Sequence, residues 1–252
     1  MYLNTLSTVS PAAAGKKGFQ WFCTPIRSKL KDHQLRFLNS AERFTMEVEG
    51  DIVAGYKWGS GSKKVLFMHG WQSHSFRWKR YIERFNNDRH TLYAFDAPGH
   101  GLSRGKLLNV PIYANVLDHF ITQITPVDTI VSHSIGSFAA LYAMHNRPEL
   151  NVQKIVTLGA PGEAMSFFGV EHVRHRFIEV VGHEPEYFTT ERFVRNQDRK
   201  ALIIHDVEDK DVDFKYSEIL HKAWKGSQLW ITKGYGHKLT DHAVVDRVLE
   251  FV

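Results

Sequence analysis

The chain has 252 residues, of which 43% are hydrophobic, 23% charged and 13% aromatic. That length gives one or two domains and a core large enough to need neither covalent nor metal staples. A single cysteine, Cys23, excludes a disulfide framework and any multi-cysteine zinc site, and it fits a reducing compartment. The net charge of +5 is scattered: residues 1–50 carry seven Lys/Arg against four Asp/Glu, and residues 161–200 carry six against seven. Nucleic-acid binders concentrate their charge in a stripe or patch, so nucleic acid is not an expected partner.

Residues 1–10 contain no basic side chain, and no long apolar run precedes Lys16 and Lys17, so no secretory signal is expected. The longest stretch free of Lys, Arg, Asp and Glu, residues 129–146, is interrupted by Ser132, His133, Ser134 and Ser137 and is no membrane span. A cytoplasmic protein is the expectation.

Residues 1–18, small and polar and ending in PAAAGKKG, read as a flexible arm. Thr24-Pro25 reads as a helix start, with Ile26, Leu30, Leu35 and Leu38 on one face. Segments around Thr45–Glu49 and Ile52–Trp58, separated by Gly50-Asp51, read as a hairpin. The domain plan is therefore an N-terminal arm and helix over 1–43 and a main domain over 44–252.

Apolar strand candidates then follow at Val65–Met68, Leu92–Phe95, Thr129–Val131, Ile155–Leu158, Ala201–Ile204 and Leu229–Ile231. Helical spacing marks Phe76–Phe85, Tyr113–Ile124, Ile135–Met144, Phe214–Trp224 and Ala243–Phe251. The expected class is α/β, a mainly parallel twisted sheet with helices on both faces.

Between Leu158 and Ala201 lie about 40 residues without a clear strand, far beyond an ordinary connection. We read a small helical cap there, an insertion over about 161–199, because it follows a strand end, where α/β sheets bind ligands. Its Phe167, Phe168 and Phe177 are the expected pocket-facing side chains. Its Arg174, Arg176, Arg192 and Arg195 are read as surface partners of nearby glutamates in preference to a substrate-carboxylate clamp.

The sharpest local signal is Val131-Ser132-His133-Ser134-Ile135-Gly136-Ser137. A serine nucleophile on a strand-to-helix corner needs small residues two positions to either side, where strand and helix approach closely. Ser132 and Gly136 meet that need, with Ser132 standing where glycine is usual. The tripeptide Ser-His-Ser recurs at 73–75, but Arg77 follows Ser75 by two, so Ser75 fails the same test. A serine hydroxyl also needs a base, and the base an orienting acid. The acid-rich turn His205-Asp206-Val207-Glu208-Asp209-Lys210-Asp211 and the loop Lys233-Gly234-Tyr235-Gly236-His237 supply both types after predicted strands.

Together with Met68-His69-Gly70-Trp71 and Phe95-Asp96-Ala97-Pro98-Gly99-His100-Gly101-Leu102-Ser103, these motifs carry a resemblance. From Phe44 to Val252 the sequence resembles the α/β-hydrolase fold superfamily, in its serine esterase/lipase-like branch. The resemblance implies a Ser134–His237–Asp209 triad, the acid chosen because the family turn H-G-x-x-D-x-x-V matches His205, Asp209 and Val212. Asp206 and Asp211 are the alternatives. It also implies an oxyanion hole of the Ile135 and Trp71 backbone N–H groups, with Gln72 the neighbouring alternative to Trp71.

His69 and His133 are expected to hold loops by hydrogen bonds. His172, His175 and His183 lack a recognised ligand motif, so neither metal nor other cofactor is expected. Asp96 is passed over as a nucleophile because serine occupies the corner. The resulting expectation is a serine hydrolase that cleaves a small-to-medium carboxylic ester through an acyl-enzyme. A C–C bond hydrolase, thioesterase or amidase on the same residues is the alternative, as is a non-catalytic ligand-binding relative. The expected partner is a small-molecule ester, and the sequence leaves the oligomeric state unassigned.

Overall fold

Alternate residues of the central strands enter two different cores. On β3 (Lys63–Met68), Leu66 and Met68 pack into one apolar cluster, whereas Val65 and Phe67 pack into the other. The same division holds on β7 (Lys200–Asp206), with Ala201 and Ile203 on one face and Leu202 and Ile204 on the other. A strand covered on both faces reads as a continuous apolar run, which is why these segments stood out in the sequence.

The computed structural model describes residues 10–164 and 171–252. Its single sheet has eight strands in the order β1-β2-β4-β3-β5-β6-β7-β8. The remaining strands are β1 (Glu42–Val48), β2 (Asp51–Trp58), β4 (His90–Phe95), β5 (Thr129–His133), β6 (Lys154–Leu158) and β8 (Ser227–Thr232). β1–β2 and β2–β4 pair antiparallel and all other neighbours pair parallel. The expected α/β class, hairpin and six further strands are therefore present. The hairpin turn lies one residue earlier than the sequence suggested, at Glu49 and Gly50, both at positive φ (52° and 82°). Such a turn matches the natural twist of the strands that it joins.

The start of the chain departs from expectation. Residues 11–18 do not form a loose arm: Pro11–Cys23 is a helix, α1, capped by the Ser10 hydroxyl and begun by proline. Thr24-Pro25 does not start a helix but ends this one, and the next helix, α2, spans Asp32–Leu38. Both Ser10-Pro11 and Thr24-Pro25 carry a start signal, and tertiary packing chooses the first. α1 lies on the cap helix α6 (Glu171–Val181), with Phe19 edge-on to Phe177 at 6.3 Å between ring centroids. Gly15 allows that approach, since a Cβ there would stand 2.2 Å from the His172 carbonyl oxygen.

Other helices are α3 (Lys79–Ile82), preceded by a 3₁₀ turn at Ser75–Trp78, and α4 (Val110–His119), which runs into one π-helical turn at Phe120–Ile124. α5 (Ile135–Asn146) is buried on nearly every side, which suits its mostly apolar sequence. The cap continues with α7 (Thr190–Val194), and a bridge between Glu163 and Thr189 closes its base. α8 (Lys215–Ala223) and α9 (His242–Phe251) complete the fold.

Replacing Gly15 by alanine is expected to push α1 off α6 and destabilise the protein by roughly 1–3 kcal/mol, the usual cost of overpacking. The urea midpoint of Gly15→Ala against wild type checks this.

Candidate active site

β5 ends at His133, α5 begins at Ile135, and Ser134 between them has φ 52° and ψ −126°. A non-glycine residue held in this region stores strain, and the corner geometry lifts its side chain clear of the strand. The corner closes only because residue 136 is glycine. A Cβ there would lie 2.6 Å from the His69 carbonyl oxygen and 2.7 Å from that of Met68. At position 132 the pressure is lower: Ser132 is fully buried, and its hydroxyl donates to the Val156 carbonyl at 2.9 Å on neighbouring β6. A serine therefore replaces the usual glycine with its polar atom satisfied.

His237 follows β8 on the loop that begins at Lys233, and its Nδ1 lies 2.7 Å from Asp209 Oδ2. The other oxygen of Asp209 accepts the N–H groups of Asp211 (2.9 Å) and Val212 (3.0 Å). His205 adds a contact that the sequence reading had left without a role. Its Nε2 stands 3.2 Å from Asp209 Oδ2 and 3.0 Å from the Val212 carbonyl oxygen, and its Nδ1 is 2.5 Å from the Ser217 hydroxyl. Facing two acceptors, Nε2 carries the hydrogen and Nδ1 accepts from Ser217. Burial alone would raise the Asp209 pKa, but hydrogen bonds from His205, His237 and the two N–H groups outweigh it. The carboxylate is held well below the usual range.

The neighbouring acids do other work. Asp206 accepts from the Glu208 and Tyr235 N–H groups and from the Thr232 hydroxyl, each at 2.9 Å, and so ties the β7 turn to the His237 loop. Asp211 is exposed. Of the three candidate acids, only Asp209 hydrogen-bonds His237.

Four successive carbonyls from His237 onward are each held by a different donor. His133 Nε2 donates to His237 O (2.8 Å), Arg77 to Lys238 O (2.7 Å), the Tyr81 hydroxyl to Leu239 O (2.6 Å) and Arg80 to Thr240 O (2.9 Å). Burial holds His133 well below the ordinary histidine range, so it is a neutral donor. His69 is likewise neutral and buried, with Nδ1 donating to Gly70 O and Nε2 accepting from Ala97 N–H. Both histidines hold loops.

The loop after β3 brings backbone N–H groups to the corner. A Cβ on Gly70 would stand 3.0 Å from Ser134 Cβ. The Gln72 N–H is committed to His100 Nε2 at 3.0 Å, whereas Trp71 N–H has no such partner among the described residues. Ile135, as the first helical residue, has no intrahelical acceptor for its N–H. Ser75 is fully buried, with its N–H and hydroxyl both on Asp96 Oδ1 at 2.7 Å. Asp96 Oδ2 takes the Tyr56 hydroxyl and the Leu102 N–H, so both its oxygens are committed to the fold.

Ser134, Ile135, Trp71, His133 and His237 line one cavity of about 790 Å³. Its other walls are mostly apolar, with Phe19 and Cys23 from α1, Leu108 and Val110 at the start of α4, Phe138 from α5, and Phe177 and Phe188 from the cap, while Thr24, Asn109 and Asp211 add polar groups. Burial pushes the Cys23 thiol up to about 12, so it acts as a small apolar wall residue. No hydrogen bond joins the Ser134 hydroxyl to His237 among the described residues, and such bonds often tighten only with substrate present. Phe167 and Phe168, the other cap residues singled out in the sequence, lie outside the described residues.

None of the four cap arginines lines this cavity. Arg174 pairs with Glu184 and Glu186, Arg176 with Glu179 and Arg195 with Glu191, while Arg192 sits over the Tyr187 ring. His183 stacks on Tyr187 at 4.1 Å, and no grouping of three metal-ligand atoms among the described residues includes His172, His175 or His183. The share of α1 in the cavity was missed from sequence. The Phe19/Cys23 pair, one turn apart in a run that begins Ser-Pro, was the available signal.

Residues 59–184 match the family model described as serine aminopeptidase, S33. The chain is 33% identical over 102 residues to a pimeloyl-[acyl-carrier protein] methyl ester esterase of Xylella fastidiosa; the match covers 40% of this chain and 38% of that protein. Among solved structures, an esterase from Exiguobacterium antarcticum superposes with a TM-score of 0.69 at 16% identity, covering 83% of this chain and 99% of its own. Alpha/beta hydrolase domain-containing protein 10 from mouse gives 0.65 at 15% identity, covering 84% and 96%.

A carboxylate whose folded pKa is depressed stabilises the fold above its unfolded value, and that contribution fades as pH falls through the folded value. The stability gap between wild type and Asp209→Asn, read as a urea midpoint difference, is expected to be full at pH 7. It should narrow as pH drops below about 4.

Proposed function

The chain belongs to the serine aminopeptidase S33 family of α/β-hydrolases, and from that premise we propose that it hydrolyses a small-to-medium carboxylic ester through an acyl-enzyme. The observation that carries this reading is the meeting of Ser134, at a strained corner, with the 2.7 Å His237–Asp209 pair in one apolar cavity. Ser134 Oγ attacks the ester carbonyl carbon while His237 Nε2 takes its proton. Asp209, bonded to Nδ1, keeps His237 in the tautomer that presents a bare Nε2 and stabilises the imidazolium that forms. The Ile135 and Trp71 N–H groups donate to the developing oxyanion. His237 then protonates the departing alcohol, and water activated by the same imidazole releases the acid.

The apolar walls and the similarity to a methyl ester esterase favour an ester over a peptide. Three of the four cap arginines are paired with glutamates and none of the four lines the cavity, which favours an uncharged acyl group over an acidic one. With the single thiol buried and protonated, a cytoplasmic setting fits.

Ser134→Ala and His237→Ala are expected to lower kcat for p-nitrophenyl butyrate by roughly 10⁴–10⁶-fold, and Asp209→Asn by about 10⁴-fold. A fluorophosphonate probe should label Ser134 in the folded wild type. Unchanged turnover by Ser134→Ala would overturn the proposal.

A further inference from the structure

The first 31 residues contain five basic side chains, Lys16, Lys17, Arg27, Lys29 and Lys31, and not one Asp or Glu. No ion pair holds any of the five among the described residues, and residues 1–9 and 165–170 contain no acid to supply one. This contrasts with the cap, where three of four arginines are paired with glutamates. Cations without an acidic partner, grouped within one stretch of chain, give a local positive field that the modest overall charge conceals.

The same segment exposes its large apolar side chains. Trp21 is 50% exposed, Phe22 39% and Ile26 75%, and no other described Trp or Phe is exposed. All three also line the cavity that holds Ser134, so they stand at its mouth. Two of the cations adjoin them: Lys17 Nζ lies 5.7 Å from the centre of the Trp21 ring, and Arg27 directly follows Ile26. The Ser28 hydroxyl reaches the Gln72 carbonyl at 3.4 Å, which puts this segment beside the loop of the oxyanion donors.

We propose that Lys16–Lys31 docks the cavity mouth onto an anionic phospholipid bilayer, so that the ester is drawn from the membrane. This rests on the hydrolase reading for its purpose but not for its physics. Exposed Trp and Phe beside Lys and Arg are the composition of a segment that lies in a lipid–water interface, aromatic rings inserted and cations at the headgroups. Each basic residue near such a surface strengthens binding roughly fivefold, and salt screens the effect. No described helix is long and apolar enough to cross a membrane, so the attachment is peripheral.

The test uses the full chain carrying Ser134→Ala, so that lipid is not consumed, sedimented with phosphatidylcholine vesicles with or without phosphatidylglycerol. Binding at least tenfold tighter to the anionic vesicles is expected, reversed by about 0.5 M salt. A variant with all five cations changed to glutamine should lose that preference, and Trp21→Ser/Phe22→Ser/Ile26→Ser should weaken binding more than tenfold while its circular dichroism matches the parent. With Ser134 restored, the five-glutamine variant should hydrolyse soluble p-nitrophenyl butyrate like wild type. Equal binding to neutral and anionic vesicles, or undiminished binding by the five-glutamine variant, would overturn the docking proposal. Absent hydrolysis of the soluble ester by wild type would overturn the hydrolase reading alone.

Discussion

The approach of α5 to the end of β3 sets the geometry of everything near Ser134. A methyl group at Gly136 would press on the carbonyls of both Met68 and His69. The helix can therefore start only where it does, and the chain must turn through the positive φ at Ser134 to reach it. The same contact brings the Gly70 backbone beside the corner, where a Cβ on Gly70 would stand 3.0 Å from that of Ser134. Close-packed interiors transmit such constraints with little slack.

How much of this was legible in the sequence varied with the physics. The five inner strands β3 to β7 were, because each is buried on both faces and reads as a short apolar run, whereas the edge strand β8 is half-exposed and showed only through Leu229–Ile231. The Ser134 corner was legible because sterics demand small neighbours, and Ser75 could be set aside by the same argument. The choice of Asp209 over Asp206 and Asp211 was not decidable from residue type. Three identical side chains lie within six positions, and it was the family's turn spacing that pointed to Asp209, the one that hydrogen-bonds His237 in the fold. His205 was invisible as a partner of Asp209 because its contacts depend on how the β7 turn meets α8. The helix over Pro11–Cys23 was misread because the segment is short and its apolar face is finished by a cap helix about 150 residues away.

Averaging also hid a charge pattern. Counted over residues 1–50, the chain looked mildly basic, because Asp32, Glu42, Glu47 and Glu49 offset the cations ahead of them. Those acids belong to α2 and the first hairpin, whereas the cations lie on α1 and the segment that follows it. A window that follows structural elements separates the two groups. The cap arginines needed no such correction: they were read as partners of nearby glutamates, and Arg174, Arg176 and Arg195 are so paired.

The loop behind His237 has a consequence for how this protein can vary. The four held groups at 237–240 are main-chain oxygens, present whatever side chains stand there. The donors are the side chains of His133 at the end of β5, Arg77 on the 3₁₀ turn, and Arg80 and Tyr81 on α3. As far as these bonds are concerned the side chains at 238–240 are unconstrained, while the residues that hold the His237 loop lie up to 161 positions upstream. The loop that carries His237 is thus held through its backbone, by side chains of a turn and a helix remote from it in sequence.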